Sequence, residues 1–471
     1  MIRLPAVVND LPPSTRRNLD ISWREGIPAN VMLAVMDYYL IPFALFLGAS
    51  PFEVGLLVAV PHLLGSLSQM VASRVVRMAG SRLKFLVIGA TIQGLCLVPM
   101  GMLAFRAFEG RLGVLILFAV VFRVSANLTG TAWGSLMSEY LPEEKRGRFI
   151  GWRSRIVGAA GVAGMVTAGL LLYAAKQVSL AWGFAILFGF IAACRIWSAS
   201  FFRRMDDLPM EFRPEHQFTF VEFIRRFRQS NFVKFTLFVA SITFATQMAA
   251  PHFVGHMLNN LQFSYLQFMT AEIMVVVAGL ISFPLWGNLA DRVGNARVLK
   301  TASLLIPAIP VLWLLSGNFY YLVAVEFVSG FIWAGFNLAS ANFVYDAVMP
   351  AKRVRCLGYY NFMIGIAVFL GAVSGGFLAE HLPAIWGHRI LTLFALSAGL
   401  RLASNLFLSG KFREVRVRTQ AVSSTDLFFR VLGIRPVAGR QSEPATLWLP
   451  KAVSPAGVRS QGEGGNVEAS A

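Results

Sequence analysis

Four segments of the chain, 85–105, 156–175, 301–325 and 359–379, contain no charged residue. Each reaches the roughly 20 apolar residues with which an α-helix crosses the hydrocarbon core of a bilayer. Only 14% of the residues are charged and 56% are hydrophobic, whereas a soluble domain carries about 25% charged residues. Because so little polar surface could not cover a soluble fold, the sequence predicts an all-α polytopic membrane protein.

Twelve apolar segments can be placed along the sequence, six on each side of a polar stretch. They lie near 27–47, 52–73, 85–105, 112–137, 156–175, 179–202, 232–257, 266–286, 299–316, 319–345, 359–380 and 389–409. The predicted organisation is an N-terminal arm (1–26), a six-helix bundle (27–202), a central loop (203–231), a second six-helix bundle (232–410) and a tail (411–471). We expect the tail to be mostly disordered, because it is rich in Pro, Gly, Ser and Glu.

The basic residues are distributed unequally between the two sides of the predicted protein. Of the 42 Lys and Arg residues, the loops of one side hold only Arg106, Arg111, Lys176 and Arg389. Since positively charged loops stay in the cytoplasm, we expect both termini to be cytoplasmic and the chain to lie in a plasma membrane, such as a bacterial inner membrane. The net charge of +18 then reflects orientation in a lipid bilayer, and no nucleic-acid partner is expected.

The two halves of the sequence repeat each other at a constant spacing. Ser50 and Gly80 bracket the second predicted span, and 214 residues later Ser264 and Gly294 bracket the corresponding span of the second half. Several such matches in the same order predict a duplicated, parallel repeat.

The loop after the eighth span has a distinctive pattern. It reads Gly287-Asn-Leu-Ala-Asp291-Arg292-Val-Gly294-Asn-Ala-Arg297. This resembles the cytoplasmic signature loop of the major facilitator superfamily, usually written G-x-L-a-D-R-x-G-x-x-R. The resemblance extends over about residues 27–410 and implies two six-helix bundles around a cavity that opens alternately to either side of the membrane. It also implies that these residues form a gating loop, in which glycines permit a tight turn and the charged residues bond across helix ends.

The first half departs from this family pattern. Its equivalent loop keeps Gly80, Arg82 and Lys84, but Arg77 stands where the spacing of 214 would place the acid. The gating contact that the family makes in this half is therefore not predicted for this chain.

Ionisable residues inside the spans are the first candidates for function, because a charge is expensive to bury in a bilayer. Asp37 lies in the first span, and Arg123 in the fourth is its natural partner. Asn127 follows Arg123 by one turn on the same helix face. We expect this group to contact a substrate or a coupling proton or cation, and a purely structural ion pair is the alternative.

The second half offers further polar candidates within its spans. Glu326, Trp333 and Asn337 share one face of the tenth span. The indole and the amide suit a sugar-like ligand, because a sugar ring stacks on an aromatic ring while amides bond hydroxyls. Gln247 and Glu272, in the seventh and eighth spans, complete the predicted substrate or coupling residues. Hydrogen bonding between helices is the alternative for each of them.

Three other ionisable residues within the spans are given structural interpretations. For His62, in the second span, packing between helices is favoured over a role in proton transfer. For Arg195 and Arg401, which lie nearer span ends, we expect the side chain to extend to the membrane interface.

The predicted function is transport of a small solute by alternating access, with a proton or another cation as a candidate co-substrate. Uptake of a sugar-like or organic solute is favoured. Efflux of amphipathic compounds is one alternative, and a membrane sensor that binds a ligand without moving it is another. The sequence has no nucleotide-binding, zinc-protease or serine-hydrolase motif and no evident cluster of acids or histidines at one depth. We therefore expect no enzyme activity, no cofactor and no metal site, and a monomeric chain.

Overall fold

The apolar segments form helices because, inside a bilayer, every backbone N–H and C=O must find its hydrogen-bond partner within the chain. The computed structural model describes residues 4–208, 220–225, 229–385 and 387–415. All of them belong to the first of two units, Met1–Phe428, and the second unit, Phe429–Ala471, lies outside the described residues together with nearly all of the predicted tail. Twelve helical segments are long and apolar enough to cross a membrane, which confirms the predicted fold class.

The first bundle consists of six helices that pack on one another. They are α1 (Pro13–Phe46), α2 (Pro51–Met78), α3 (Arg82–Met102), α4 (Arg111–Tyr140), α5 (Glu143–Ala175) and α6 (Leu180–Phe202).

The second bundle follows a short helix, α7 (Phe220–Arg225). Its helices are α8 (Asn231–Gly255), α9 (Tyr265–Val293), α10 (Asn295–Leu305), α11 (Ala308–Leu315), α12 (Phe319–Ala347), α13 (Pro350–His381) and α14 (Arg389–Leu408). Helices α10 and α11 together make one membrane span, Asn295–Leu315.

The even number of spans places both ends of the described chain on one side. We call this side the terminal face, where α1 begins at Pro13 and α14 ends at Leu408. The opposite side, where α1 ends at Phe46 and α2 begins at Pro51, is called the distal face. That the terminal face is cytoplasmic stays a prediction.

Several helices extend beyond the apolar segments that predicted them. Helix α5 begins at Glu143 and α1 at Pro13, whereas the sequence places the corresponding spans at 156–175 and 27–47. Hydropathy marks only the part of a helix that lies in hydrocarbon, while backbone hydrogen bonding continues into the charged residues outside it. The part of α1 from Pro13 to residue 26 therefore falls inside the predicted N-terminal arm. The predicted domain limits stay a prediction.

The internal repeat is visible in the geometry of the paired positions. Ser50 and Ser264 both cap helix N-termini through capping boxes, with Glu53 and Gln267 as their respective partners. Gly80 and Gly294, at the other end of the same helices, have positive φ angles of 70° and 96°. The two halves therefore begin and end their second span in the same way.

The ninth span is broken, although the sequence predicts a continuous segment at 299–316. Pro310 has no N–H with which to bond the carbonyl of Ile306, and α10 ends just before that residue. The guanidinium of Arg401 donates to the Ile306 carbonyl at 3.4 Å and to Ser397 at 3.1 Å. Arg401 is only 2% exposed, so the expectation that it reaches the membrane interface is wrong.

Arg195 is likewise buried rather than extended to the interface. Its guanidinium lies 3.6 Å from the carboxylate of Glu25 and donates to Ser198 at 2.9 Å. Arg153 also contacts Glu25, at 3.3 Å. A carboxylate from α1, which hydropathy assigned to the arm, thus supplies the partner that keeps Arg195 within the bundle.

The two bundles meet closely at the distal face. A side chain at Gly55 on α2 would collide with the backbone of α13, and the amide of Phe52 donates to the Glu380 carboxylate at 2.9 Å. Contact between α2 and α13 continues as far as Gln69, which accepts a hydrogen bond from Asn361 at 3.0 Å. Helices α5 and α9 also pack together.

On the terminal half of α4 there is open space instead. Gly130 and Gly134 follow Arg123 and Asn127 on the same face of α4, and a Cβ atom at either glycine would meet no neighbour within 4 Å. The space beside α4 therefore opens toward the terminal face, while the distal ends of α2 and α13 are in contact.

Candidate functional site

Asp37 and Arg123 approach each other within the first bundle. Asp37 lies on α1 and Arg123 on α4, and Oδ1 is 3.5 Å from Nη2. The side chain of Asp37 is 49% exposed and that of Arg123 is 28% exposed, so the pair is accessible from the interior of the protein. The structure brings together the two residues that the sequence predicts as partners, and their role in transport stays a prediction.

His62 is a third member of this group, although the sequence favours a packing role for it. Its Nε2 lies 2.9 Å from Nη2 of Arg123, and its Nδ1 lies 2.8 Å from the carbonyl oxygen of Val58. The sequence does contain a signal for this contact. Helices α2 and α4 run in the same direction, and both residues lie about three turns from the distal ends of their helices.

Asn127 lies between α2 and the open space beside α4. A side chain at Gly65 on α2 would collide with the Asn127 amide, so glycine allows the two helices to approach closely at this level. Gln93, Ser125 and Thr129 are hydrogen-bonded on the buried side of α4. Asn127 thus belongs to the exposed face of the helix, together with Arg123.

The second bundle contains a cavity of about 390 Å³ on its inner surface. Its walls come from α8, α12 and α13 and include Gln247, Trp333 and Asn337, all predicted from the sequence. Thr243 and Thr246 add two hydroxyl groups. The sequence thus identified three residues that share a cavity, two of them on α12 and one on α8.

Several polar groups of this cavity have no hydrogen-bond partner in the described part of the protein. Gln247 and Asn337 make no hydrogen bond there, and the buried hydroxyl of Thr246 also lacks a partner. Trp333 is held by an edge contact with Phe336, with ring centroids 5.5 Å apart. Of these three groups, only the hydroxyl of Thr246 is a buried atom. Because an unpaired buried polar group is costly, a polar ligand that bonds to this hydroxyl would bind favourably.

Glu272 and Glu326, the two remaining predicted residues, lie away from that cavity. Each is about two helical turns from the distal end of its helix, α9 or α12, as are Asp37 and Tyr38 on α1. The two glutamates interact electrostatically with each other and with Tyr38. The expectation that no acids cluster at one depth is therefore wrong, because residues far apart in sequence occupy matching turns of three helices.

The predicted gating loop is mostly helical. Gly287, Asp291 and Arg292 belong to the last turns of α9, Gly294 forms the turn, and Arg297 belongs to the first turn of α10. Arg297 donates to the carbonyl of Val293 at 3.3 Å. That these residues gate transport stays a prediction.

Each half ties its own loop to the following helices at the terminal face. In the second half, Asn295 donates to Asp346 at 2.7 Å. In the first half, Arg82 makes two bonds to Glu139, at 2.5 and 2.6 Å. This buried arginine links α3 to α4 at the terminal face of the first half.

A segment after α14 also contacts the gating loop. We call residues 412–414 the docking segment. Glu414 accepts a hydrogen bond at 2.8 Å from the amide of Ala296, in the first turn of α10, and a side chain at Gly294 would collide with it. Phe412 is fully buried against phenylalanines of α8 and α12. The beginning of the predicted disordered tail is therefore part of the second bundle.

Within the described ranges, no group of three or more His, Cys, Asp or Glu side chains is placed to hold a metal ion.

Two sequence relatives of the chain are named as multidrug proteins. The multidrug resistance protein MdtG of Klebsiella pneumoniae is 30% identical over 135 residues, which are 28% of this chain and 31% of that protein. The multidrug export protein EmrB of Escherichia coli is 23% identical over 158 residues, 34% of this chain and 30% of that protein. The chain thus matches about a third of the length of these curated relatives.

Solved structures share the fold at low sequence identity. The nucleoside transporter NupG matches with a TM-score of 0.64 and 14% identity, covering 85% of this chain and 99% of that one. A bacterial homologue of the iron transporter ferroportin, in an inward-facing state, also gives 0.64 and 14%, covering 84% and 98%. A bacterial homologue of the lysosomal transporter Spinster gives 0.57 and 15%, covering 91% and 99%.

The family model described as Major Facilitator Superfamily matches residues 29–280 and 235–450, which together include both bundles. With the two six-helix bundles and the gating loop, this match shows that the chain belongs to the major facilitator superfamily.

Proposed function

We propose that this protein moves a small polar solute across the membrane by alternating access. The observation that carries the proposal is a cavity whose walls hold unpaired polar groups, within a protein that is closed at its distal face and open beside α4. In this arrangement the solute would enter from the terminal face. Rocking of the bundles would close the terminal face and open the distal one.

The chemistry of the cavity favours an uncharged solute with a ring and several polar substituents. Trp333 offers an aromatic face, while Gln247 and Asn337 each offer both donors and acceptors. No charged residue is among the cavity's lining side chains. A sugar-like or related heterocyclic solute fits this set better than an organic ion does.

We propose that Asp37 and Arg123 couple this movement to a proton or another cation. Protonation of Asp37 would remove the negative charge that faces Arg123. The pair would then separate, which changes the contact between α1 and α4 beside the cavity. An acid-driven step of this kind would use the proton gradient across a bacterial inner membrane, with both termini in the cytoplasm and the monomer as the working unit.

Efflux of amphipathic compounds is the second candidate. It is favoured by the two relatives named as multidrug proteins, and by Glu272 and Glu326, which could attract a cationic compound. The matched segments span only about a third of the length of each relative, and the two glutamates lie outside the polar cavity. Uptake of a polar solute is therefore the better-supported function.

Flux into proteoliposomes tests the proposal. Purified protein is reconstituted and supplied with radiolabelled hexoses, nucleosides, organic acids and lipophilic cations, with and without an imposed pH gradient. We expect saturable accumulation of a neutral polar solute, reduced at least tenfold by Trp333→Ala and by Asn337→Ala. Trp182→Ala, at a tryptophan that is 62% exposed on the outside of α6, is the matched control and should retain the flux.

Two results would contradict the proposal. Accumulation restricted to lipophilic cations would favour the efflux function instead. Binding of a solute without any flux would indicate a sensor that has kept the fold of a transporter.

A further inference from the structure

Both ring nitrogens of His62 have partners, and these partners define its tautomer. Nδ1 lies 2.8 Å from the carbonyl oxygen of Val58, which can only accept a hydrogen bond. Nε2 lies 2.9 Å from a guanidinium nitrogen of Arg123, which can only donate. The ring is therefore neutral, with its hydrogen on Nδ1 and a free lone pair on Nε2.

Arg123 is the charged group that acts on this ring. Among the described residues, no other charged side chain affects His62. From α1, Asp37 faces Arg123, and Arg123 is also the charged group that acts on Asp37. From α13, the residue opposite is Gly365, which lies beside Ser66 and the His62 backbone and cannot titrate. The electrostatics of this site therefore depend on three side chains from α1, α2 and α4.

The arginine is shared unequally between its two neighbours. Its Nη2 is within hydrogen-bond distance of the histidine at 2.9 Å, but 3.5 Å from the Asp37 carboxylate. A hydrogen bond is made at the shorter distance, while the longer one is a loose ion pair. Neutral His62 thus holds Arg123 and leaves the half-exposed Asp37 carboxylate only loosely paired.

We propose that His62 is a proton acceptor that decides whether Arg123 pairs with His62 or with Asp37. The proposal rests on the proposed function and changes its coupling step, since it places the proton on His62 and not on the Asp37 carboxylate.

The proton-transfer step follows from the hydrogen-bond inventory of the ring. A proton that binds Nε2 turns it into an N–H donor, so the hydrogen bond from Arg123 is lost. Imidazolium and guanidinium then repel each other, and Arg123 has only a short distance to move to reach the carboxylate of Asp37. Once paired, the Asp37 carboxylate is no longer available to another cation. Loss of the proton reverses each change.

A consequence is that a proton at His62 and a cation at Asp37 exclude each other without sharing a binding site. Exchange of the two would be mediated by Arg123, through a movement confined to the first bundle.

Nitrogen NMR of histidine side chains tests the tautomer directly. The full-length protein is labelled with ¹⁵N-histidine in lipid, and the His62 signals are identified by their loss in His62→Gln. We expect, at alkaline pH, a protonated Nδ1 and an unprotonated Nε2, and in Arg123→Gln a changed Nε2 chemical shift, because the hydrogen bond from the guanidinium is lost. An Nε2–H tautomer in the unmodified protein, or the same spectrum in Arg123→Gln, would overturn the proposal.

His381 supplies a matched control within the same chain. Its Nδ1 also lies 2.8 Å from the carbonyl one turn earlier, that of Phe377, but the residue is exposed and no arginine bonds to its ring in the described structure. Its signals should be unaffected by Arg123→Gln, and His381→Gln should leave the His62 tautomer unchanged.

Chemical labelling tests the transfer of Arg123 to Asp37. A lipophilic carbodiimide reacts with protonated carboxyl groups, and mass spectrometry measures the fraction of Asp37 that is modified. His62→Lys places a permanent cation beside Arg123, whereas His62→Gln keeps a neutral acceptor. We expect at least fivefold less labelling of Asp37 in His62→Lys than in His62→Gln, with equal labelling of Glu272 as the internal control.

Equal labelling of Asp37 in the two variants, in protein that elutes as a single folded peak, would contradict the proposal. Neither measurement depends on flux. A correct tautomer and labelling pattern without transport would refute only the proposed function, whereas transport with the wrong tautomer would refute only the role of His62.

Discussion

Arg123 faces a ring nitrogen of His62 on one side and the carboxylate of Asp37 on the other. A single substitution tests the contribution of the carboxylate to coupling. Asp37→Asn keeps the size of the side chain but removes the charge and the protonation step. If Asp37 is the coupling carboxylate, solute counterflow should persist in this variant, while accumulation driven by a pH gradient is lost. Proteoliposome uptake with and without the gradient measures both. Accumulation with unchanged pH dependence in Asp37→Asn would contradict the coupling role.

A second prediction concerns the glycine of the gating loop. Gly294 has φ 96° and ψ 154°, a region that other residues adopt only at a cost of about 1–3 kcal/mol, and its Cβ would collide with Glu414. Gly294→Ala should therefore lower the thermal unfolding temperature by several degrees. Gly80→Ala is the matched control, because Gly80 has φ 70° but open space around it. Equal losses in the two variants would show that the contact with Glu414 contributes nothing.

A third prediction concerns the buried arginine of the first half. The guanidinium of Arg82 is 1% exposed and makes two bonds to Glu139. Removing one partner of a buried ion pair costs about 3–5 kcal/mol, and Glu139, which is 34% exposed, should reduce this toward the lower limit. We expect Arg82→Ala to unfold at clearly lower temperature in detergent, while Arg106→Ala, at an exposed loop residue, does not. A stable Arg82→Ala variant would contradict this assignment.

At the scale of helices, the docking segment illustrates how residues outside the spans stabilise a bundle. Phe412 packs against Phe238 at 5.1 Å and Phe343 at 5.6 Å, and Lys300 donates to its carbonyl at 3.0 Å. Asn231 fixes the next residue, Arg413, through two hydrogen bonds to its backbone, both at 2.8 Å. The segment therefore connects the terminal ends of α8, α10 and α12.

The prediction at this scale is that Phe412→Ala destabilises the second bundle by about 3 kcal/mol, the usual cost of removing a buried phenylalanine ring. Val415→Ala, three residues later at an exposed position, serves as the control. Thermal unfolding of the purified full-length variants measures the difference. Identical unfolding temperatures for the two variants would show that the docking segment is not part of the folded bundle.

The helices themselves were predictable from sequence because a bilayer leaves the backbone of an apolar segment no alternative to a helix. The break in the ninth span at Ile306 was not predicted, because the contact that satisfies the Ile306 carbonyl comes from Arg401, nearly a hundred residues later in the chain. The acids show the same limit. Asp37, Glu272 and Glu326 were each identifiable as intramembrane charges, but only the packing of α1, α9 and α12 brings the glutamates near Tyr38.

The candidate site was predictable where its residues share a helix, and for the pair of opposite charges, Asp37 and Arg123, that lies on two helices. Trp333 and Asn337 follow from the 3.6-residue period of α12. His62 was missed, although counting turns from the helix ends places it level with Arg123. Depth along parallel helices is thus a second signal, which hydropathy alone does not use.

At the scale of the whole molecule, the two bundles are in close contact at the distal face and separated beside α4. Gly55 and Gly376 allow α2 and α13 to approach closely there, since a Cβ atom at Gly376 would lie about 3 Å from the backbone of Pro51 and Phe52. Gly130 and Gly134, in contrast, face open space. If the bundles rock as rigid bodies, closing the space beside α4 requires the α2–α13 contact to separate.

Pulsed electron paramagnetic resonance distances across both faces test this alternation most directly. One pair of spin labels, at Val178 and Tyr320, measures the distance between the bundles at the distal face. The other pair, at Met78 and Met349, measures it at the terminal face. All four residues are well exposed. The native cysteines Cys96, Cys194 and Cys356 are first replaced by alanine. On changing from alkaline to acidic pH, or on adding a transported solute, the two distances should change in opposite directions. Distances that stay fixed under every condition, or that lengthen and shorten together, would contradict transport by alternating access.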